Sequence, residues 1–218
     1  MNNLYLTDVA IDTWVQGGPA KMEDLLGSVV LIEVFQVNCP GCFLYALPNA
    51  IQLHEKYRDR GLVIIGLATA FEDYDKNTLE NLQLLIKSGE VIGETFKALN
   101  QRGLLVDQSR LPWTFPFAVG MDRIAPDNEP VTEDRVLAYA RQLLAQFDQF
   151  REDQQQTIKN QIRAFFEQKI MKAETFERFS LQGTPSAILF DRKGVLQDVS
   201  FGQAAHKQSA IEQLLVQT

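Results

Sequence analysis

The chain has 218 residues, and 28 acidic against 21 basic side chains leave a formal net charge of −7. With 45% hydrophobic and 22% charged residues it has the composition of a globular protein with a sizeable core, which excludes a disordered or fibrous chain. The acidity argues against nucleic acid as a partner, and the two cysteines, spaced Cys39-x-x-Cys42, are too few for a disulfide framework.

The start, Met1 to Tyr5, lacks a basic segment followed by an apolar run, so the expected location is cytoplasmic, or periplasmic for a chain whose leader has been removed. Val29 to Phe35 is apolar apart from Glu33, the pattern of a strand buried on both faces. It runs directly into Cys39-Pro40-Gly41-Cys42. The uncharged run from Val34 to Leu53 that contains this turn is broken by Gln36, Asn38, Pro40 and Pro48, so no membrane span is expected. Leu47, Ile51, His54 and Tyr57 then fall at helical spacing, with Gly61 as the stop, and Leu62 to Leu67 is a second buried strand. Strand, helix and strand in this order make a βαβ unit with parallel pairing, and the fold is α/β.

Asn77 or Thr78 is placed to cap a helix ending at Ser88-Gly89, and a shorter helix is expected to run to Gln101. Thr114 to Gly120 is the next strand candidate, where Pro116 calls for an edge location or an irregular start. From Thr132 to Arg178 there is no Gly or Pro, and apolar residues from Val136 to Ile170 recur every three or four positions. This is one long helix, or two that break near Arg151 to Gln156. Ala187–Phe190 and Val195–Ser200 form a hairpin around Asp191-Arg192-Lys193-Gly194, and a last helix spans 206–216.

A Cys-x-x-Cys placed where a buried strand gives way to a helix has a chemical purpose. The first thiol lies at the positive end of the helix dipole beside free N–H groups, which can lower its pKa from about 8.5 to between about 3.5 and 7.5. Cys39 is therefore the expected nucleophile. Cys42, one turn on, is placed to attack a mixed disulfide formed by Cys39 and release the reduced partner. Pro40 suits a first helical turn. The competing use of the pair is as half of a zinc site, but His54 and His206 are the only histidines and offer no usual ligand spacing, so no metal or cofactor is expected. Glu33 inside a buried strand is costly as a charge. Its pKa should rise toward neutrality, which suits an acid/base for Cys42, unless it sits at a strand end and reaches solvent.

Four segments together resemble the thioredoxin-fold proteins, and among them the TlpA/ResA-like thiol-disulfide oxidoreductases. They are Val29–Phe35 with Cys39-Pro40-Gly41-Cys42, the helix ending Leu53-His54-Glu55-Lys56-Tyr57, Thr114-Phe115-Pro116, and Gly183-Thr184-Pro185-Ser186 with the hairpin that follows. The resemblance implies a three-layer fold with a central mixed sheet over residues 1–120 and 173–218, and a helical insertion at 121–172. It also implies that Pro185 is a cis-proline facing the cysteines, where an ordinary trans proline opening a strand is the alternative. Thr184, Pro185, Pro40, Gly41 and Asn38 would form the substrate-facing surface, and Glu33 matches the buried acid that thioredoxin keeps six residues before its first cysteine.

Asn38 stands where the family usually has Trp, and Phe43 where Lys or Arg is common. Pro48 arrives one residue late, which a bulge in the helix would absorb. With no basic neighbour, the activation of Cys39 should rest on the dipole and local N–H groups. The insertion either packs as core or covers Trp113 and the apolar edge Phe43–Leu47, making a groove for a protein partner or a homodimer contact. His206 reads as a surface cap of the last helix and His54 as a half-buried structural imidazole. The function implied is thiol-disulfide exchange, in the reducing direction, with protein disulfides as substrates and an upstream thiol reductant as donor. The alternatives are a thiol peroxidase, against which Gln36 stands where Thr or Ser is wanted, a metal-binding or copper-delivery module using Cys39, Cys42 and His206, and a redox-inactive scaffold.

Overall fold

The computed structural model describes residues 4–217; Met1, Asn2 and Asn3, part of the reading of the N-terminus, lie outside the described residues. The chain divides into two compact units. One runs up to Ile124 and resumes at Ala173, and the other is 125–172. No helix among the described residues is long and apolar enough to cross a membrane.

In chain order the first unit contains β1 (Ile11–Gln16), β2 (Val29–Phe35), a π-helical turn (Cys42–Ala46) leading into α1 (Leu47–Tyr57), β3 (Leu62–Ala68), α2 (Leu79–Ser88), α3 (Gly93–Gln101) and β4 (Ala118–Asp122). A short strand β5 (Ile124–Pro126) leads away from it. The second unit holds α4 (Glu133–Leu143) and α5 (Glu152–Gln168), after which β6 (Met171–Ala173) pairs with β5 and the chain resumes as α6 (Glu174–Arg178). The hairpin β7 (Ser186–Phe190) and β8 (Leu196–Phe201) and the helix α7 (Lys207–Val216) complete the first unit.

Six strands form one mixed sheet in the order β1-β4-β3-β2-β7-β8. β2, β3 and β4 are parallel, while β1 runs against β4, β7 runs against β2 and β8 runs against β7. All seven residues of β2 are buried, because helices and loops cover both faces at the sheet centre. Side chains alternate across a strand, and this sorts β2 into two cores. Val29, Leu31 and Phe35 join Cys42, Leu47, Leu53 and Ile211 beneath α1 and α7, whereas Val30, Ile32 and Val34 join Leu6, Phe179 and Phe190 on the other face.

Several expectations need correction. Pro116 does not mark an edge: β4 is interior and the edge is β1, which the sequence reading passed over. The irregular start is real, since the strand begins only at Ala118 and the Gln16 side chain donates to the carbonyls of Phe115 and Phe117, each at 2.8 Å. Because β4 extends to Asp122, a boundary at 120 would cut a core strand. The long helical stretch is two helices, but they part between Leu143 and Glu152, upstream of the expected break. Arg151 to Gln156 is where α5 starts; its N-terminal turn carries Glu152 and Asp153, and carboxylates favour the positive end of a helix. The helical pattern is also interrupted before Arg178 by β6.

Within the second unit Val136, Ala140, Phe147, Ile162 and Phe166 form a small core of their own. Arg135 lies over the Phe166 ring at 4.2 Å.

Candidate active site

The buried strand β2 delivers the chain to Cys39, which stands immediately before the first helical residue, Pro40. Cys39 is half-buried and Cys42 fully buried. Their sulfurs are 2.7 Å apart, and the Cys42 N–H donates to Cys39 Sγ at 3.4 Å, as a capping side chain would receive it. The π turn follows, with the Leu47 N–H reaching back to the Cys42 carbonyl. This wider turn takes up the residue that displaces Pro48.

The two thiols are driven apart in acidity. Cys39 is lowered to about 6, first by the hydrogen bond with Cys42, against burial, with further help from Thr184 and the N–H groups of Cys42 and Gly41. Cys42 is raised well above the ordinary thiol value, chiefly by burial and then by Cys39. The leading influence on Cys39 is thus its partner thiol, whereas the sequence pointed mainly to the dipole and the backbone N–H groups.

Thr184 and Pro185 come to this place from 145 residues further along the chain. The Thr184–Pro185 peptide bond is cis, and the Thr184 carbonyl oxygen lies 3.5 Å from Cys39 Sγ. Gly41 faces the Pro185 ring, and a side chain at Gly183 would run into the exposed ring of Phe201 at 2.7 Å. Gln36 is an addition that the sequence did not mark for this part. Buried just before the cysteines, it accepts the Thr184 hydroxyl at 3.0 Å and donates to the Glu72 carbonyl at 3.3 Å, tying the cis-proline loop to the cysteine loop.

Pro40, Gly41, Thr184 and Pro185 are therefore gathered around Cys39, but Asn38 points elsewhere. Its amide donates to Asp73 at 2.8 Å and accepts the Glu94 N–H at the start of α3 at 2.7 Å, while its own N–H is held by Asn77 at 2.9 Å. A Cβ on Gly93, whose φ is +55°, would collide with this amide. Through these bonds Asn38 braces the loop before Cys39.

Glu33 does not reach solvent at a strand end. It is 1% exposed, lies between Leu31 and Phe35 on the face of β2 that looks toward Cys42, and accepts from Lys207 Nζ at 2.9 Å. Burial raises its pKa, and Lys207 works against that rise. Nothing in local pattern announced Lys207, the first residue of α7, as its partner.

The stretch Phe43–Leu47 is not an apolar edge awaiting cover. Phe43, Ala46 and Leu47 are interior, Phe43 stacking on Trp113 and meeting Phe35 edge-on, and only Tyr45 is exposed. His54 rests against Phe117 with a buried Nδ1 that has no hydrogen-bond partner among the described residues, and burial, ahead of the nearby Arg58, lowers its pKa. His206 makes no capping hydrogen bond; its Nε2 meets Asp198 at 3.0 Å. Among the described residues no three His, Cys, Asp or Glu side chains are grouped so as to hold a metal ion, so Cys39, Cys42 and His206 do not form a shared site.

A central mixed sheet in this order, with a dithiol at the start of the helix after β2 and a cis-proline opposite, defines a thioredoxin-fold protein. Solved structures agree. A thiol-disulfide isomerase from Corynebacterium glutamicum matches with 25% identity over 96% of this chain and 95% of that one, at a TM-score of 0.58. A thioredoxin-like superfamily protein (20% identity, 96% and 95% covered, TM-score 0.57) and a thioredoxin-like protein solved in its oxidized form (12%, 99% and 97%, 0.54) share the fold. These neighbours are consistent with the resemblance to TlpA/ResA-like thioredoxin-fold proteins. No family model and no curated protein matches the chain.

Proposed function

We propose that the protein is a thiol-disulfide oxidoreductase that exchanges electrons with protein disulfides through Cys39 and Cys42. The observation that carries this is the division of acidity within one contacting pair, with Cys39 near 6 and half-exposed and Cys42 protonated and buried. At neutral pH Cys39 is a thiolate and attacks a substrate disulfide, forming a mixed disulfide and expelling one substrate thiolate. Cys42, once deprotonated, attacks Cys39 Sγ; the Cys39–substrate bond breaks, the second substrate thiolate leaves, and the pair is oxidised as the substrate is reduced. Glu33 takes the Cys42 proton, and Thr184, Pro185, Pro40 and Gly41 line the face where an extended peptide meets Cys39. The disulfide chemistry named for the Corynebacterium neighbour supports the same reading.

Cys39→Ser should abolish reduction of insulin disulfides, and Cys42→Ser should accumulate mixed disulfides; an active Cys39→Ser protein sinks the assignment. We assign net reduction of partners, with an upstream thiol as donor. The reduction potential of the pair separates the directions, since a value near about −270 mV suits a reductase and one near about −120 mV an oxidant.

A further inference from the structure

Gln36 directly follows β2, and its bonds reach both arms of the thiol site. Its main-chain carbonyl accepts the Cys39 N–H at 3.2 Å and closes the turn that carries the cysteine. Its side chain is interior, the residue being 2% exposed, and an amide so placed is costly unless it is met by hydrogen-bond partners. It meets two, the Thr184 hydroxyl at 3.0 Å and the Glu72 carbonyl at 3.3 Å. These partners decide which way the amide faces. A carbonyl can only accept, so the amide NH2 turns toward Glu72 and the amide oxygen is left for Thr184, whose hydroxyl must then donate.

The Glu72 end of this bridge is firm. The Asn77 side chain also donates to the Glu72 carbonyl, at 3.0 Å, and the Asn77 amide oxygen accepts the Asn38 N–H at 2.9 Å, so the anchor is braced against the same cysteine loop. At the other end, Thr184 precedes the cis bond to Pro185 and sets its carbonyl 3.5 Å from Cys39 Sγ. A closed ring results. Cys39 is joined to Gln36 through the main chain, Gln36 to Thr184 through their side chains, and Thr184 to Cys39 through its carbonyl. Threonine is branched at Cβ and has few rotamers, so holding its hydroxyl also restrains the backbone that carries it.

We propose that Gln36 is a positioning residue for peptide substrates: through the Thr184 hydroxyl it fixes the segment before Pro185 over Cys39, so that a peptide backbone docks there with its disulfide in line with the attacking sulfur. The inference deepens the function proposed above and rests on it. The Gln36 amide acts through Thr184 and takes no part in the exchange of sulfur bonds. Fixed geometry speeds attack only on a substrate that uses it. A peptide disulfide has a backbone to lay against Thr184, whereas a small disulfide without peptide bonds reaches Cys39 with nothing to dock. Gln36 therefore favours peptide disulfides over small ones.

The test offers the full-length reduced protein two substrates in single turnovers, a linear peptide dimer joined by one disulfide and an aromatic disulfide lacking any peptide bond. The readout is the ratio of their second-order rate constants for attack by Cys39, taken from acid-quenched samples by mass. Gln36→Met keeps the length and removes both amide bonds, and should lower the peptide-to-aromatic ratio at least about fivefold, as loss of one hydrogen bond would. Thr184→Val keeps the branched shape, removes the same bond from its other end and should lower the ratio by a factor that agrees within about twofold. Because both act on one bond, the double variant should fall no more than about twofold below the lower single variant. General loosening of the site slows both substrates alike and leaves the ratio in place. Should Gln36→Met not fold, Gln36→Asn, polar but too short to span both partners, takes its place with the same expected fall. A ratio within about twofold of the parent's in either single variant, or a double variant that loses the product of the two single effects, overturns the proposal. A parent protein that attacks neither disulfide would instead remove the oxidoreductase reading itself.

Discussion

Asp127 and Glu33 are carboxylates withdrawn from water, one in each unit of the chain, and they differ in how many donors meet them. Asp127 has a side chain 2% exposed and receives Arg135 at 2.6 Å, Lys169 at 3.1 Å and the Glu129 N–H at 3.2 Å. Glu33, deeper in the protein at the centre of the sheet, receives Lys207. Burial is the largest single influence on both and pushes both upward, yet the donors around Asp127 together outweigh it and hold that carboxyl below its ordinary value, while Glu33 remains raised. The convergence of donors, together with a shallower position, thus separates a carboxyl held below its ordinary value from one held above it. The first lies in the unit 125–172 and the second on the cysteine face of the central sheet.

Substitutions can break this contrast. The largest stability effect is expected for Asp127→Asn, which removes the buried negative charge that meets Arg135 and Lys169 and should cost about 3–5 kcal/mol in urea unfolding. A loss under about 1 kcal/mol would show that Asp127 is not a fixed charge. Because its folded pKa is depressed, the contribution of Asp127 is complete above the ordinary carboxylate value of 3.8 and fades as pH falls through the lower folded value.

Glu33→Gln should cost less, about 1–3 kcal/mol, since the neutral amide still accepts from Lys207. Its linkage has the opposite sign. With the folded pKa raised above 4.5, the folded state holds the proton more tightly, so Glu33 erodes stability as pH rises from the ordinary value toward the folded one. The stability margin of the parent over Glu33→Gln should therefore be largest at low pH and shrink as pH rises through that window; parallel curves would contradict the raised acid.

Excision gives a difference of similar size. Asp122 accepts from the Thr69 hydroxyl and from the N–H groups of Thr175 and Phe176, bracing the place where the first unit resumes. Replacing 125–172 by a short linker should leave a protein about 2 kcal/mol or more above the one lacking 121–172, in which those donors are orphaned. Equal stabilities would mean that Asp122 contributes nothing there. Insulin and small-peptide turnover by the 125–172 deletion then tests whether the insertion takes part in substrate recognition.

The effect least visible in stability is the titration of Cys39. Alkylation of the reduced protein should follow a midpoint near 6. Its depressed pKa makes the reduced fold gain stability as pH rises from about 6 toward the ordinary thiol value of 9.0, and lose it below 6. A midpoint near 8.5 would remove the distinction between the thiols.

The amino-acid sequence by itself determined β2, the Cys39-Pro40-Gly41-Cys42 turn, α1, β3 and the β7–β8 hairpin. Each is announced by a continuous apolar run, helical spacing or turn residues within a few positions, and such local signals need no partner to be read. It also foresaw a bulge before Pro48, because a length mismatch within one helix has few structural solutions. The edge strand β1 was silent because Ile11–Gln16 has neither a continuous apolar run nor a clean alternation. Asn38 looked like a surface substitution until α3 and the loop bearing Asp73 closed on it, and Gln36 and Lys207 acquired their roles only across 148 and 174 residues of chain. The tertiary structure alone decided which side chain meets Glu33, what holds Thr184, and how burial and hydrogen bonding divide acidity between two chemically identical thiols. A carboxyl or thiol takes its working pKa from the donors and water around it, and these are assembled by folding.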